Sequence, residues 1–302
     1  MNQEPLLAGR SAIVTGAGKS IGRAIALALA SHGARVLVNN RRHAGESDGS
    51  AAAVVREIEA AGGIAVANTD SVEQAGAAEA MVEQALASFG SLDIVIANAG
   101  VAPEKRIAGM TQSSLREAFE INYFAPVALT QAALPALRAS GSGRLVYIIS
   151  NAGLYGGDGL AAYGSTKAAL YAFMRSAATE GRRSGIAANA LAPFALSQMT
   201  AARMTDELRG ALPAHWIGPV ASWLASAACS TSGKVYVTGG GLISEARMEE
   251  TAPVRFTTTG TQAIAEVCQC LDDLAAAEAC INFDGAMEAF LHTIGQHLSG
   301  GD

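Results

Sequence analysis

Short apolar, β-branched segments recur along the chain between longer Ala-rich amphipathic ones. They are SAIVT (11–15), ARVLVN (34–39), GIAVAN (63–68), LDIVIAN (92–98), RLVYIIS (144–150), GIAANAL (185–191) and KVYVTG (234–239). Runs of this length bounded by turn residues read as buried strands, and the stretches between them read as helices. Their alternation predicts an α/β fold: a doubly wound, seven-stranded parallel sheet of Rossmann type with helices on both faces. Ligands in such sheets sit beyond the carboxyl ends of the strands. The segment SVEQAGAAEAMVEQALASFG (71–90) predicts one of the helices, capped by Ser71 and ended at Gly90. After about Ser244 the rhythm stops. Residues 1–245 are therefore expected to form one domain. Residues 246–302 are expected to form a C-terminal extension with helical stretches near 262–280 and 284–298, packed on that domain or on a partner subunit.

Composition narrows the partners. At 302 residues and 50% hydrophobic, with 33 Gly and only 8 Pro, the chain has material for one large core and a small appendage. A net charge of -6 with 16% charged residues offers no basic stripe for a phosphate backbone, so no nucleic-acid partner is expected. Apolar runs such as AIALALA (24–30) are too short to span a bilayer, and the N-terminus has no signal-peptide pattern, so no membrane association is expected. Cys229, Cys268, Cys270 and Cys280 match neither a paired-CxxC zinc site nor a dense disulfide framework, which fits a reducing, cytoplasmic setting. None of His32, His43, His215, His292 and His297 has a partner at ligand spacing, and no metal site is expected.

Two motifs carry chemistry. The first is Thr15-Gly16-Ala17-Gly18-Lys19-Ser20-Ile21-Gly22, which follows the first strand and leads into RAIALALASHG. Glycines let such a turn bend tightly and let a pyrophosphate approach backbone N–H groups, while the helix N-terminus favours negative charge. An ordinary strand-to-helix turn has the same ingredients, and the spacing departs from GxGxxG. The second is Tyr163-Gly-Ser-Thr-Lys167, which puts Tyr and Lys on one face of a helix. A phenol of pKa about 10 is a poor acid-base group near neutrality, and a neighbouring ammonium favours the phenolate. With 6 Tyr in the chain such a pair also arises by chance, so its weight depends on its surroundings.

The turn resembles the TGxxxGxG motif of short-chain dehydrogenases/reductases. Ser150 at the end of the fifth strand, Asn122 in AFEINYFAP and Asn98-Ala99-Gly100 after the fourth strand fall where that family has its serine, asparagine and NAG segment. The resemblance covers roughly residues 8–245 and implies that Ser150 hydrogen-bonds the substrate oxygen. It further implies that Tyr163 handles the proton with support from Lys167, and that Asn122 helps hold a water-linked proton path to the lysine. It implies a cofactor held by Gly16, Gly18, Lys19, Ser20, Ile21 and Gly22, by Asp70, Ser71, Asn98, Ala99 and Gly100, by Tyr163 and Lys167, and by Pro193 and Leu196. Asp70 falls where a family carboxylate meets the adenine amino group. A homodimer or homotetramer is also implied. The chain departs from the family pattern in having Ser20 and Phe194 for glycines and Ala97 for an asparagine.

Within the family the chain is similar to the (3R)-hydroxyacyl-CoA dehydrogenase domain of the peroxisomal multifunctional β-oxidation enzyme. The cues are NNRRHAGESDGSAAAVVREI, VANTDSVE, EGRRSGIAANALAPFALSQMT and PAHWIGPVASWL. An acidic residue at the end of the second strand would favour NAD. The chain has Asn40 there, followed by Arg41 and Arg42, with Lys19 in the turn, and this favours NADP(H) with NAD(H) as the alternative. The expected function is oxidoreduction of a small-molecule ketone and secondary alcohol, on an apolar substrate such as a 3-oxoacyl or 3-hydroxyacyl thioester. The alternatives are an NAD-dependent hydroxyacyl-CoA or hydroxysteroid dehydrogenase and, in another class, a non-catalytic cofactor-binding regulatory protein. Asn122, Ser150, Tyr163 and Lys167, all filled, argue against the last. Met199, Met204 and Leu208, in the segment where the family builds its substrate lid, are expected to form a packed helix face rather than to touch substrate. His215 and Trp216 either line the pocket or begin the next helix.

Overall fold

The computed structural model describes residues 5–42, 49–197, 199–201, 204–259, 263–275, 277 and 280–299. The chain divides into two compact units, Met1–Glu245 and Ala246–Asp302. The first carries strands β1 (Ser11–Val14), β2 (Arg35–Asn39), β3 (Ile64–Asn68), β4 (Ile94–Ala97), β5 (Arg144–Ile148), β6 (Ala187–Pro193), β7 (Val235–Gly239) and β8 (Leu242–Ala246). They lie in the order β3-β2-β1-β4-β5-β6-β7-β8. Every ladder from β3 through to β7 is parallel, with Val14 facing Val38 on one side and Ile96 on the other. Strand order reverses between β1 and β4, and a crevice opens there beyond the strand ends.

The eighth strand corrects the seven-stranded expectation. Gly240 and Gly241, with φ of 58° and 79°, turn the chain back on itself in two residues, so β8 runs antiparallel to β7. Leu242 and Ile243 are both exposed, so no alternation of apolar and polar residues announces the strand.

Helices α1 (Ser20–Ser31), α2 (Ser50–Ala60), α3 (Ala77–Phe89), α4 (Gln112–Phe119), α5 (Ala125–Ala139), α6 (Asn151–Tyr155), α7 (Ala161–Gly181), α8 (Asp206–Ala211) and α9 (Ile217–Ala225) connect the strands. Successive strand residues point to opposite faces. Val14, Val38, Ile96 and Val146 therefore pack in one core with Ile25 and Leu29 of α1, Val54 and Ile58 of α2, and Leu224 of α9. Ile13, Leu37, Val95 and Tyr147 turn to the other face, where α3 packs on α5. The expected cap Ser71 does not start α3. Turns occupy the following residues, and Gly76, left-handed at φ 81°, stands at the N-cap. A π-helical turn, Glu120–Phe124, joins α4 to α5, with the Ala125 N–H donating to Glu120 O five residues back.

In the second unit, β9 (Glu250–Thr251) pairs antiparallel with β10 (Cys280–Ile281), and helices α10 (Ala263–Ala275) and α11 (Ala286–Ser299) complete it. No helix among the described residues is long and apolar enough to cross a membrane.

The amino ends of the strands are closed by arginines. Arg144, 6% exposed, donates to the carbonyls of Ser226 at 2.8 Å, Gly143 at 2.9 Å, Ala227 at 2.9 Å, Cys229 at 3.2 Å and Gly185 at 3.4 Å. Arg10 reaches Ser142 Oγ and Ser142 O, each at 2.7 Å, and Arg35 reaches Phe89 O at 2.6 Å. Each buried carbonyl left without a donor costs roughly 1–3 kcal/mol. Arg144→Leu is accordingly expected to remove at least about 3 kcal/mol and to lower the melting temperature by roughly 6 °C or more. A melt coincident with that of the parent protein would show that water replaces the guanidinium without loss.

Candidate active site

The glycine turn is stapled to the end of β4. Thr15 Oγ1 accepts the N–H groups of Asn98 at 3.0 Å and Ala99 at 3.1 Å, while Asn98 Nδ2 donates to Thr15 O at 2.9 Å and Gly16 O at 3.0 Å. A Cβ on Gly16 would lie 2.8 Å from Ala99 Cα, and one on Gly22 would lie 2.3 Å from Gly16 O. Backbone occupies the space that any side chain would need. Ser20, at φ 48°, is the only non-glycine with positive φ among the described residues. It opens α1 where the family motif has glycine. No side chain caps α1, so the N–H groups of its first turn are available to an anion.

Below the turn runs a cavity of about 610 Å³. Asn39, Asn40, Arg41, Asp70, Val72 and Glu73 line it near the ends of β2 and β3, and Gly16, Lys19, Ser20, Ile21 and Gly22 line its middle. Asn98, Ala99, Gly100, Ser150, Tyr163, Lys167 and Pro193 line it near the ends of β4, β5 and β6. A dinucleotide needs a cradle of this kind, with a backbone-lined turn at its middle to meet the pyrophosphate.

Ser150 caps α6. Its Oγ accepts the Ala152 N–H at 3.2 Å, which leaves the hydroxyl proton to point elsewhere. Tyr163 and Lys167 stand one turn apart on α7, with Lys167 Nζ 5.8 Å from the centre of the Tyr163 ring. Lys167 is 3% exposed and donates to Ile148 O at 2.7 Å. Burial pulls its pKa down to about 8. The expected lowering of the phenol is reversed in the free protein: burial holds Tyr163 above its ordinary value, and the hydrogen bond with Ser150 only works against that. Tyr163 is thus kept protonated in the free protein.

Asn122 lies beside this group without lining the cavity. Fully buried in the π-helical turn, it accepts the Val101 N–H on Oδ1 at 2.8 Å and donates through Nδ2 to Val101 O at 2.8 Å and Thr166 Oγ1 at 2.9 Å. Its side chain fixes the loop after β4 and the helix that carries Lys167.

Three of the expected cofactor residues stand outside the cavity wall. Gly18 packs behind the turn, where a Cβ would lie 2.4 Å from Ser50 Oγ. Ser71 is passed over by the chain between Asp70 and Val72. Leu196 is half-buried, and its N–H is committed to Leu212 O at 2.7 Å. Conversely, Met199 does line the cavity, against its assignment to a packed helix face, because it lies in a turn with Thr200. His215 and Trp216 do not line it and lead into α9. Val72, Glu73, Glu104, Asn151, Tyr155 and Leu160 line it unannounced by any motif.

Charge at the end near β2 is mixed. Asn40 Nδ2 donates to Ser50 Oγ at 2.7 Å and Arg41 O at 3.1 Å, and Arg41 Nη1 stands 3.5 Å from Glu73 Oε1. Among the described residues no group of three or more His, Cys, Asp or Glu side chains is arranged to hold a metal ion.

Comparison with known proteins adds a family. The model of the family described as short chain dehydrogenase matches residues 10–209. Peroxisomal multifunctional enzyme A of Dictyostelium discoideum is 38% identical over 246 residues, 80% of this chain and 55% of that protein, so the chain spans about half the length of this relative. The crystal structure of a short chain dehydrogenase from Mycobacterium avium superposes with a TM-score of 0.80 at 31% identity, covering 93% of this chain and 100% of that one. Such coverage extends past Glu245. A 7α-hydroxysteroid dehydrogenase complexed with NADH and 7-oxo glycochenodeoxycholic acid superposes with a TM-score of 0.72 at 30% identity, covering 80% of this chain and 97% of that one.

Ser20 provides a test of the turn. A side chain in the left-handed region costs about 1 kcal/mol that glycine does not. Ser20→Gly is expected to raise the melting temperature of the ligand-free protein by roughly 2–4 °C. An unchanged or lower value would show that the loop relieves the strain elsewhere.

Proposed function

The chain belongs to the short-chain dehydrogenase family, and from that membership we propose that it is an NADP(H)-dependent reductase of ketones to secondary alcohols. A 3-oxoacyl thioester or a similar apolar ketone is the substrate class. The observation that carries the reading is the presence of Ser150, Tyr163 and Lys167 in one wall of a cavity whose middle is walled by the glycine turn.

The residues divide the work. Ser150, its oxygen already accepting from Ala152, donates its hydroxyl proton to the substrate oxygen and places it beside Tyr163. Tyr163, held protonated by burial, gives its proton to that oxygen as negative charge develops. The phenolate left behind faces the Lys167 ammonium, fixed in place by Ile148 O. Bound NADPH would supply the hydride to the carbonyl carbon. Lys19 to Gly22 would hold its pyrophosphate at the uncapped start of α1. Val101, Ala102, Leu160 and Met199 give the wall the apolar character that an acyl chain needs. The resemblance to the (3R)-hydroxyacyl-CoA dehydrogenase domain supports the thioester class, and the Dictyostelium relative is itself named a peroxisomal multifunctional enzyme.

Preference for the 2′-phosphate rests on Asn40 in place of a carboxylate, with Lys19 and Arg41 in the same wall. A second reading, NAD(H), is favoured by Glu73, which brings a carboxylate to Arg41, and by the NADH-bound hydroxysteroid dehydrogenase. Fluorescence titration separates the two. NADPH is expected to bind at least about tenfold more tightly than NADH, and the opposite order transfers the assignment to NAD(H).

Catalysis is expected to follow Lys167. Below about pH 8 the ammonium is present to stabilise the phenolate, and above it the charge is lost. For ketone reduction, kcat/KM is expected to fall about tenfold per pH unit above that point, since this ratio reports groups of the free enzyme. Lys167→Met should abolish the decline, and Tyr163→Phe should cost at least about 100-fold in rate while NADPH still binds. A flat profile from pH 7 to 10, or an active Tyr163→Phe, defeats the assignment.

A further inference from the structure

Beneath the β2–β3 end of the cavity lies a chain of amides, buried at Asn39 and Asn68 and half-buried at Gln84, that ends on Asp70. Gln84 of α3 donates through Nε2 to Ala67 O at 2.9 Å and accepts on Oε1 from Asn68 Nδ2 at 2.9 Å. Asn68 Nδ2 also donates to Asp70 Oδ2 at 2.9 Å. Asn68 Oδ1 accepts from Asn39 Nδ2 at 2.7 Å and from the Asp70 N–H at 3.1 Å, and Asn39 Nδ2 donates in addition to Asp70 O at 2.9 Å. Asn39 and Asn68 are 1% and 7% exposed.

Backbone groups fix the polarity of this chain. Ala67 O can only accept, so Gln84 must turn its amide nitrogen there and its oxygen to Asn68. The Asp70 N–H can only donate, so Asn68 must turn its oxygen there and its nitrogen to the Asp70 carboxylate. Asn68 thereby makes all four hydrogen bonds open to an amide. Reversing any member would set donor against donor or acceptor against acceptor, at a site where an unmet polar group is costly. The carboxylate of Asp70 is held by one oxygen, Oδ2. Asp70 lines the cavity, whereas Gln84 does not.

We propose that Gln84, without touching the ligand, is the positioning residue that makes Asp70 select a base bearing an exocyclic amino group. The proposal rests on the dinucleotide reading above. A rigid carboxylate with an oxygen available for the ligand accepts from the amino group of adenine and repels the carbonyl oxygen that hypoxanthine carries at that position. Gln84 sets how rigid it is. Once the arm from α3 is removed, Asn68 keeps its polarity through the Asp70 N–H but loses the partner of its second N–H, which fixes its tilt, and the carboxylate it holds gains that freedom.

The test compares NADPH with its hypoxanthine analogue by fluorescence titration. The parent protein is expected to favour NADPH by at least about tenfold, the worth of one hydrogen bond to a charged acceptor. Gln84→Met is expected to reduce that ratio at least threefold and to raise KM for NADPH, leaving kcat at saturating cofactor unchanged. A general loosening of the fold would weaken both dinucleotides alike and lower kcat, and an unchanged ratio overturns the proposal. A parent protein that binds both dinucleotides equally overturns it while the cofactor reading stands, and one that binds neither overturns both. If Gln84→Met does not fold, Gln84→Asn, one methylene too short to span Ala67 and Asn68, gives the same readout.

Discussion

The approach of two main chains at the β1–β4 junction governs the rest of the site. Thr15 and Asn98 exchange hydrogen bonds through both side chain and backbone, and this draws the glycine turn so close to β4 that Gly16 and Gly22 have no room for a Cβ. The turn can then run over the crevice rather than into it, and α1 begins with its uncapped N–H groups at the cavity wall. Burial around α7 also sets the state of Tyr163 and Lys167. The same dry surroundings keep the phenol of Tyr163 protonated and weaken the hold of Lys167 on its proton. The glycine turn and the buried Tyr163–Lys167 pair thus share the wall of one cavity.

Most of the sheet was legible because its strands are buried on both faces, which demands short continuous apolar runs such as AIV and RVLV. β8 lacked that signature. It lies at the end of the sheet order with exposed Leu242 and Ile243, and only its two-glycine turn betrayed it. The start of α3 was misplaced for a related reason: Ser71 has the composition of a cap, but Gly76 adopts the left-handed backbone that decides where the helix begins.

The chemical centre was legible through spacing, since Tyr163 and Lys167 share a helix face and Ser150 ends a strand. The remainder of the wall was not. Glu73, Glu104 and Tyr155 come from segments between regular elements or from the last residue of a short helix, and only the folded chain brings them to one cavity. Leu196 shows the converse: a position suited to cofactor binding whose N–H is already used within the protein. The amides around Asp70 escaped notice because Asn39, Asn68 and Gln84 are ordinary polar residues until three elements bring them together.

The arginines at the amino ends of the strands have a consequence for how this protein can change. Arg10, Arg35 and Arg144 tie carbonyls together at the pole opposite the cavity. Durability is thus concentrated at one end of the strands and selectivity at the other. Substitutions in the loops around Glu104, Leu160 and Met199 can reshape the cavity wall while the arginine ties remain intact. New specificities are in this sense accessible by drift, because exploring them does not require the scaffold to be rebuilt at each step.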